Sequence, residues 1–235
     1  MLSFKDKKVL IIAPHPDDEV IGCGGLISKI KEGGGKVYVL FLTNGDTNDF
    51  SKAGISTSKQ RNGEIEQVAK FLKFDDYHLA LPGNLHHLKL DLAGQLKLMG
   101  IIERDSPVSI EKVKPSIVAF PFPDSYNQDH RIAAHATHAA LRPASDKFKH
   151  FVPTAISYES PAEQWRFKEQ EINFFVPLTT GQLAAKTSAL KLYRSQIRQE
   201  PHPRSIEIVK ALAVIRGAQC GNNFAEGFKI HRGML

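Results

Sequence analysis

The feature that most restricts the fold of this chain is a pair of apolar runs separated by a segment of helical length. Residues 9–12 and 37–42 are apolar throughout, which is typical of strands buried on both faces of a sheet. Residues 22–31 lie between them and predict a helix, which the glycines at 33–35 end. A strand, a helix and a second strand in this order form a right-handed unit with parallel strands. The sequence therefore predicts an α/β fold and, because it contains no linker or internal repeat, a single domain over residues 1–235.

One histidine and three carboxylates directly follow the first strand. The segment Ala13-Pro14-His15-Pro16-Asp17-Asp18-Glu19 places them where the strand gives way to the helix. In an open α/β sheet this is the carboxyl end of a strand, where ligands bind. Ionisable groups crowded beside a buried strand repel one another unless a cation neutralises them. Histidine with aspartate suits zinc in an open catalytic site, or another first-row divalent metal.

A simpler interpretation is a solvent-exposed first helical turn, in which the acids are stabilised by the helix dipole. It does not account for His15. A second polar segment, Asn127-Gln128-Asp129-His130, follows the apolar run 116–121 and begins another helix. His130 would supply the third protein ligand of a histidine–aspartate–histidine site. Taken alone, Asp129 and His130 are also explained as a helix cap and a surface histidine.

Four further segments are candidates for the edge of such a site. Thr43-Asn44-Gly45-Asp46 ends the second strand, where it suits either a ligand site or an ordinary turn. Arg61 and Glu64 lie three residues apart, which predicts either an arginine that points into a cleft or an exposed helix pair. Residues 48–58 predict a polar loop near the site. Adjacent imidazoles rarely share a metal, so we expect His86-His87 to lie in a loop that only borders the cleft.

The composition excludes several classes of protein. The net charge of +6 comes from Lys and Arg spread along the chain, so nucleic acid is not an expected partner, although the positive field favours an anionic substrate. Two cysteines exclude a disulfide framework. No apolar run approaches the roughly 20 residues of a membrane span. Residues 1–8 carry charges where a signal peptide would be apolar, so we expect a cytoplasmic protein. The sequence leaves open whether it forms a homo-oligomer.

The two polar segments resemble the signatures of the LmbE/PIG-L family of zinc-dependent N-deacetylases. The first signature matches Pro14 to Glu19, and the second matches Asn127 to His130. Supporting resemblances occur at Thr43-Asn44-Gly45-Asp46, Arg61-x-x-Glu64, Tyr193-x-x-Gln196, Arg216-Gly217 and Ala225-Glu226-Gly227-Phe228. The resemblance implies a Rossmann-like three-layer α/β fold with a mostly parallel central sheet. It also implies hydrolysis of the acetamide of an N-acetylglucosamine unit or a related small acetylated sugar.

The resemblance also implies roles for individual residues. The metal ligands of the family, for Zn²⁺ or another divalent metal, fall on His15, Asp18 and His130. The general base falls on Asp17, and substrate contacts fall on Arg61 and Asn44.

Asn127 stands where many relatives carry a histidine. It could donate a hydrogen bond to an oxyanion, and Asp129 would then orient a neighbour such as Arg61. A non-catalytic metal- or sugar-binding module on the same fold is the alternative. A nucleotide site at Gly22-Cys23-Gly24-Gly25 is disfavoured, because the spacing is not G-x-G-x-x-G and the preceding acids would repel phosphate.

Overall fold

A computed structural model describes residues 4–48, 55–165 and 171–234. The strands are β1 (Lys8–Ala13), β2 (Lys36–Asn44), β3 (Thr47–Asn48), β4 (Ile55–Ser56), β5 (Asp76–Pro82), β6 (Ile117–Pro121), β7 (Thr154–Tyr158), β8 (Phe174–Leu178) and β9 (Phe224–Arg232). The α-helices are α1 (Asp18–Glu32), α2 (Ser58–Leu72), α3 (Gln95–Gly100), α4 (Ile110–Val113), α5 (Gln128–Ala140), α6 (Thr180–Leu190) and α7 (Ile206–Gln219).

Seven of these strands form one sheet in the order β5-β2-β1-β6-β7-β9-β8. The pairs from β5 to β7 are parallel, and β9 is antiparallel to both of its neighbours. The predicted α/β fold with a mostly parallel sheet is therefore confirmed. The apolar pattern does not predict β9, because glycine and charged residues interrupt it. Pairing with two strands that are distant in the sequence decides its conformation.

Helices cover both faces of the sheet, which gives three layers. One apolar core lies under α1, α2, α6 and α7, and a second lies under α3 and α5 on the opposite face. The run at the centre of β1 alternates between them, since Val9 and Ile11 face the first core and Leu10 and Ile12 face the second. Because both faces of β1 and β2 are buried, their sequences are continuous apolar runs rather than alternating apolar and polar residues.

The glycines of α1 allow other elements to approach this helix closely. A Cβ at Gly22 would overlap the ring of Tyr158, and one at Gly25 would overlap the side chain of Leu178. The Glu226 carboxylate accepts a hydrogen bond of 2.8 Å from the Gly25 backbone N–H. Protein atoms therefore occupy the surroundings of this segment, and the glycines serve packing rather than phosphate binding.

The polar segment expected as a loop at 48–58 is partly a β-ladder. Thr47–Asn48 pairs antiparallel with Ile55–Ser56, and α2 begins at Ser58. Residues 49–54 lie outside the described part of the chain. None of the described helices combines the length and the apolar character that a membrane span requires.

Candidate active site

The turn after β1 holds four ionisable side chains inside the protein. It is short, because β1 ends at Ala13 and α1 begins at Asp18. His15, Asp17, Asp18 and Glu19 are all buried. The backbone of Asp17 has φ 109°, in the left-handed region that aspartate tolerates better than most residues. The interpretation as a solvent-exposed helical turn is therefore wrong.

His15, Asp18 and His130 converge at the carboxyl ends of the adjacent strands β1 and β6. The Asp18 Oδ2 atom lies 3.4 Å from His15 Nδ1 and 3.2 Å from His130 Nε2. One nitrogen or oxygen atom from each of the three residues lies within 4.8 Å of the other two. A single ion can therefore contact all three, and the structure brings the predicted ligands together.

Each histidine of this triad has a second carboxylate at its other nitrogen. His15 Nε2 lies 2.8 Å from Asp129 Oδ2, and His130 Nδ1 lies 3.3 Å from Glu163 Oε1. Outer carboxylates of this kind orient a metal-binding imidazole and fix its tautomer, so that the inner nitrogen can accept a metal. Both inner nitrogens face Asp18, and the donor set therefore fits a divalent ion.

The charges around the triad also suit a cation. Burial disfavours a charged imidazole at His130, but Asp18 and Glu163 outweigh it and raise the pKa of His130 to about 10. Burial is likewise outweighed at His15, where Asp129 and Asp18 raise the pKa. These carboxylates require positive charge at the triad, carried by protons on the imidazoles or by a divalent ion in their place.

Asp17 faces the same cavity but is not one of the three converging residues. Its Oδ2 atom lies 3.8 Å from Arg204 Nη1. Burial and the Asp18 charge raise the pKa of Asp17 to about 6, against the opposing effect of Arg204 and Arg61. A buried carboxylate of this kind, beside three side chains that could hold a metal ion, is suited to accept and return a proton.

Glu19 and Tyr193 support the turn from behind the cavity. The Tyr193 hydroxyl donates a hydrogen bond of 2.6 Å to Glu19 Oε1, and the Asp17 backbone N–H donates to Glu19 Oε2 over 3.1 Å. Burial raises the pKa of Glu19 to about 8. Glu19 therefore holds the backbone of Asp17 in place.

Arg61 and His87 meet at the cavity wall beside His15. Arg61 Nη2 donates to the Pro16 carbonyl over 2.8 Å, and Arg61 Nη1 lies 3.4 Å from His87 Nε2. The His87 and His15 rings are in edge contact, with centroids 5.5 Å apart. Burial, His15 and Arg61 lower the pKa of His87 to about 3, so its imidazole is neutral. His87 thus contributes to the cavity wall itself.

Asn127 caps α5 at the edge of the cavity. Its Oδ1 atom accepts a hydrogen bond of 2.9 Å from the Asp129 backbone N–H, and its side chain lines the cavity. Asp129 does not orient Arg61, as the sequence suggests, because its two oxygens bond His15 Nε2 and the Leu90 backbone N–H. The start of α5 directs the Asp129 side chain towards the turn after β1 rather than towards α2.

Two further contacts differ from their sequence interpretations. Glu64 does not form an exposed pair with Arg61, because both are buried and Glu64 accepts from the backbone N–H and hydroxyl of Ser195. Asn44 is fully buried and does not line the cavity. Its Nδ2 atom donates to the Ser58 carbonyl and, over 2.6 Å, to Asn62 Oδ1. Asn44 therefore ties β2 to the start of α2, and we assign it a positioning role instead of a substrate contact.

The cavity above the triad has a volume of about 280 Å³. Its floor is formed by the turn after β1 and the first turn of α5, and its rim includes Arg198 and Arg204 from the segment between α6 and α7. Sequence reasoning missed Glu163 and these two arginines, and it placed His87 only at the border of the cleft. The resemblance at Tyr193-x-x-Gln196 was the one signal that this segment approaches the site.

Several known proteins are similar to this chain. A diacetylchitobiose deacetylase from Thermococcus kodakarensis is 26% identical, over 99% of this chain and 86% of its own length. The crystal structure of the conserved protein TT1542 from Thermus thermophilus has a TM-score of 0.74 at 25% identity, and covers 100% of this chain and 97% of its own.

The fold alone does not determine the reaction. A 4-carboxy-2-hydroxymuconate hydratase from Pseudomonas putida has a TM-score of 0.72 at 21% identity, covering 97% of this chain and 98% of its own. The residues of the site must therefore carry the functional argument. Those residues lie largely within 10–141, the segment that matches the PIG-L family, described as GlcNAc-PI de-N-acetylase. The chain belongs to the PIG-L family.

Proposed function

We propose that this protein is a metal-dependent hydrolase that removes the acetyl group from an N-acetylglucosamine-containing substrate or a related acetylated amino sugar. One observation carries the proposal. Asp17 shares a cavity with the converging atoms of His15, Asp18 and His130, yet is not itself one of the converging residues. A module that only bound metal or sugar would not require this additional buried carboxylate.

Amide hydrolysis forms a C–O bond between water and the acetyl carbonyl carbon and breaks the C–N bond, giving acetate and a free amine. A divalent ion, when held by His15, Asp18 and His130, supplies Lewis-acid activation to this reaction. Water must lose a proton and the leaving nitrogen must gain one. Asp17 is placed to accept the first proton and to return it to the amine.

Neighbouring side chains hold these groups in place. Asp129 and Glu163 orient the two imidazoles, and Glu19 fixes the backbone of Asp17. Asn127 uses its carbonyl oxygen to cap α5, which leaves its amide group to donate to the oxyanion that develops on the acetyl oxygen.

Three observations support an acetylated sugar as the substrate. The family description names a GlcNAc-containing molecule, and the relative from Thermococcus kodakarensis acts on diacetylchitobiose. The cavity volume of about 280 Å³ is near the lower limit of small-molecule sites, about 300 Å³, which suits one sugar unit.

The test measures acetate and primary amine released from N-acetylglucosamine and N,N'-diacetylchitobiose. We expect equimolar products, loss of activity with a chelator, and recovery when one equivalent of zinc is restored. His130→Ala should lose bound metal and activity, whereas His135→Ala, an exposed residue of the same helix, should keep both. Full activity of His130→Ala, or no amine from any acetylated sugar by the metal-loaded protein, would overturn the proposal.

A further inference from the structure

We propose that Arg216 is a positioning residue of the metal site, which acts on His130 through Glu159 and Glu163. The inference rests on the proposed metal-dependent function and adds to it a residue that does not line the cavity. Arg216 belongs to the last turn of α7. Together with Gly217 it forms one of the family resemblances to which the sequence alone assigns no role.

Arg216 holds the Glu159 carboxylate with two hydrogen bonds. Its Nε atom donates to Glu159 Oε1 over 2.5 Å, and its Nη2 atom donates to Glu159 Oε2 over 2.6 Å. Both residues are buried. A paired contact between a guanidinium and a carboxylate fixes the orientation of the carboxylate as well as its position. Since Glu159 directly follows β7, this contact fixes the end of that strand to α7.

Two glycines allow this pair to form. A Cβ at Gly227 in β9 would lie 2.5 Å from Glu159 Oε1 and 3.0 Å from Arg216 Nε. A Cβ at Gly217 would lie 2.6 Å from backbone atoms of residues 223–224, so glycine lets the end of α7 pack against the start of β9. The glycines of two separate family resemblances therefore serve a single contact.

The pair is too enclosed to bind a ligand itself. The space beside it is a cavity of about 10 Å³, which both Arg216 and Glu159 line. A cavity of this volume holds about one water molecule and no substrate. The pair therefore acts within the protein, on the segment that Glu159 supports.

That segment is the 3₁₀ turn Pro161–Gln164. Besides its bonds from Arg216, Glu159 Oε2 accepts a hydrogen bond of 3.3 Å from Gln164 Nε2, at the end of the turn. The same carboxylate therefore contacts both α7 and the turn. A change in the position of Glu159 is transmitted to the turn through this bond and through the short backbone that joins them.

Glu163 in this turn carries the support into the metal site. Its Oε1 atom lies 3.3 Å from His130 Nδ1 and accepts a hydrogen bond of 2.7 Å from the Ser125 hydroxyl. If Glu163 moves away, the imidazole loses the carboxylate that fixes its tautomer and its orientation towards a metal. Because only residues 160–162 separate Glu159 from Glu163, loosening the first side chain displaces the second.

The experiment measures zinc affinity, by competition with a chromophoric chelator, in Arg216→Lys, Glu163→Gln and the double variant. Lysine keeps the positive charge but cannot make the paired contact. Arg142→Lys is the control, because Arg142 bonds both oxygens of Glu103, over 2.7 Å and 3.0 Å, and does not line the cavity. Thermal denaturation of the metal-free proteins shows which variants fold. Should Arg216→Lys not fold, Gly227→Ala displaces the pair while both charges remain.

Glu163→Gln should weaken zinc binding about tenfold to a hundredfold. Arg216→Lys should weaken it about threefold to tenfold, whereas Arg142→Lys keeps the native affinity. The double variant should bind zinc no more weakly than Glu163→Gln alone, because Arg216 acts through Glu163. In the zinc-loaded proteins, NMR should show faster exchange with water of the proton on His130 Nδ1 in Arg216→Lys than in the native protein.

Three results would overturn the inference while leaving deacetylation intact. The first is native zinc affinity or unchanged proton exchange at His130 in a folded Arg216→Lys protein. The second is an additive loss in the double variant, or an equal loss in Arg142→Lys, since either would show that Arg216 only stabilises the fold. The third is failure of both Arg216→Lys and Gly227→Ala to fold, which has the same meaning. Failure of the native protein to bind zinc would instead remove the proposed metal-dependent function.

Discussion

Replacing Asp129 with asparagine tests how the outer carboxylates support the metal site. In the native protein Asp129 Oδ2 lies 2.8 Å from His15 Nε2, and Oδ1 accepts from the Leu90 backbone N–H over 3.0 Å. Both contacts require an acceptor, and asparagine has only one acceptor atom. If its amide N–H₂ faces His15, the imidazole proton moves to Nδ1, the nitrogen needed by the metal. If the amide is rotated by 180°, its oxygen faces His15, but its N–H₂ group then faces the Leu90 backbone N–H, and two donors oppose each other.

The expected cost follows from these alternatives. Loss of an outer partner typically weakens metal binding tenfold to a hundredfold, which is about 1.4 to 2.8 kcal/mol. The cost of leaving a buried donor without an acceptor is similar, about 1–3 kcal/mol. Asp129→Asn should therefore bind zinc at least about tenfold more weakly than the native protein, whichever way the amide faces.

A competition titration against a chromophoric zinc chelator measures this change. Asp91→Asn is the control, because Asp91 is exposed, lies near the same end of α5 and contacts Gln128 through one oxygen over 2.7 Å. Thermal denaturation of the metal-free proteins shows whether Asp129→Asn still folds. Native zinc affinity in a folded Asp129→Asn protein would refute the reasoning about the His15 tautomer.

Three other substitutions test separate parts of the structure. Asp17→Asn should keep bound metal but lose activity by about 10² to 10⁴-fold, since asparagine tolerates the left-handed backbone but accepts no proton; metal content and amine release measure this. Burial opposes ionisation of Glu103, but hydrogen bonds from Arg142 outweigh this effect and lower the pKa of Glu103. The ionised Glu103 side chain therefore stabilises the folded protein above about pH 4.5, and this contribution is lost as the pH falls below that value. The free energy of unfolding, measured by urea denaturation between pH 7 and pH 3, should therefore depend less on pH in Glu103→Gln than in the native protein. Gly25→Ala should lower the free energy of unfolding by about 1–3 kcal/mol through overpacking, whereas Gly63→Ala, where a Cβ meets nothing within 4 Å, should raise it by about 1 kcal/mol.

Each of these expectations has a distinct opposing result. Near-native turnover by Asp17→Asn would remove Asp17 as the base. Identical pH dependence of unfolding in Glu103→Gln and the native protein would show that the ion pair with Arg142 does not contribute. Equal stability of Gly25→Ala and the native protein would mean that α1 can move away from its neighbours at little cost.

Local sequence was sufficient for the first half of the fold. The apolar runs of β1 and β2 are short, continuous and separated by one helix, so they specify a parallel pair without help from distant residues. His15 and Asp18 belong to one turn, and His130 lies at the equivalent position after β6. The rule that parallel strands present their carboxyl ends at one edge then brings the three together.

Contacts between residues that are far apart in the sequence position the site side chains that sequence reasoning did not predict. Glu163 reaches His130 from a 3₁₀ segment after β7, and nothing in its surroundings marks it as a partner of an imidazole. His87 belongs to an adjacent histidine pair whose orientation depends on how the loop after β5 packs. Asn44 looks like a turn residue, yet the start of α2 covers it completely. These side chains depend on tertiary packing, which apolar periodicity does not encode.

The central claim is that His15, Asp18 and His130 together hold one divalent ion. Anomalous diffraction from zinc-loaded crystals tests it most directly, because the signal locates the ion independently of activity. We expect one strong peak about 2.0–2.2 Å from His15 Nδ1, an Asp18 carboxylate oxygen and His130 Nε2. A peak elsewhere, or an ion bound through His15 Nε2 in place of Asp129, would contradict the account.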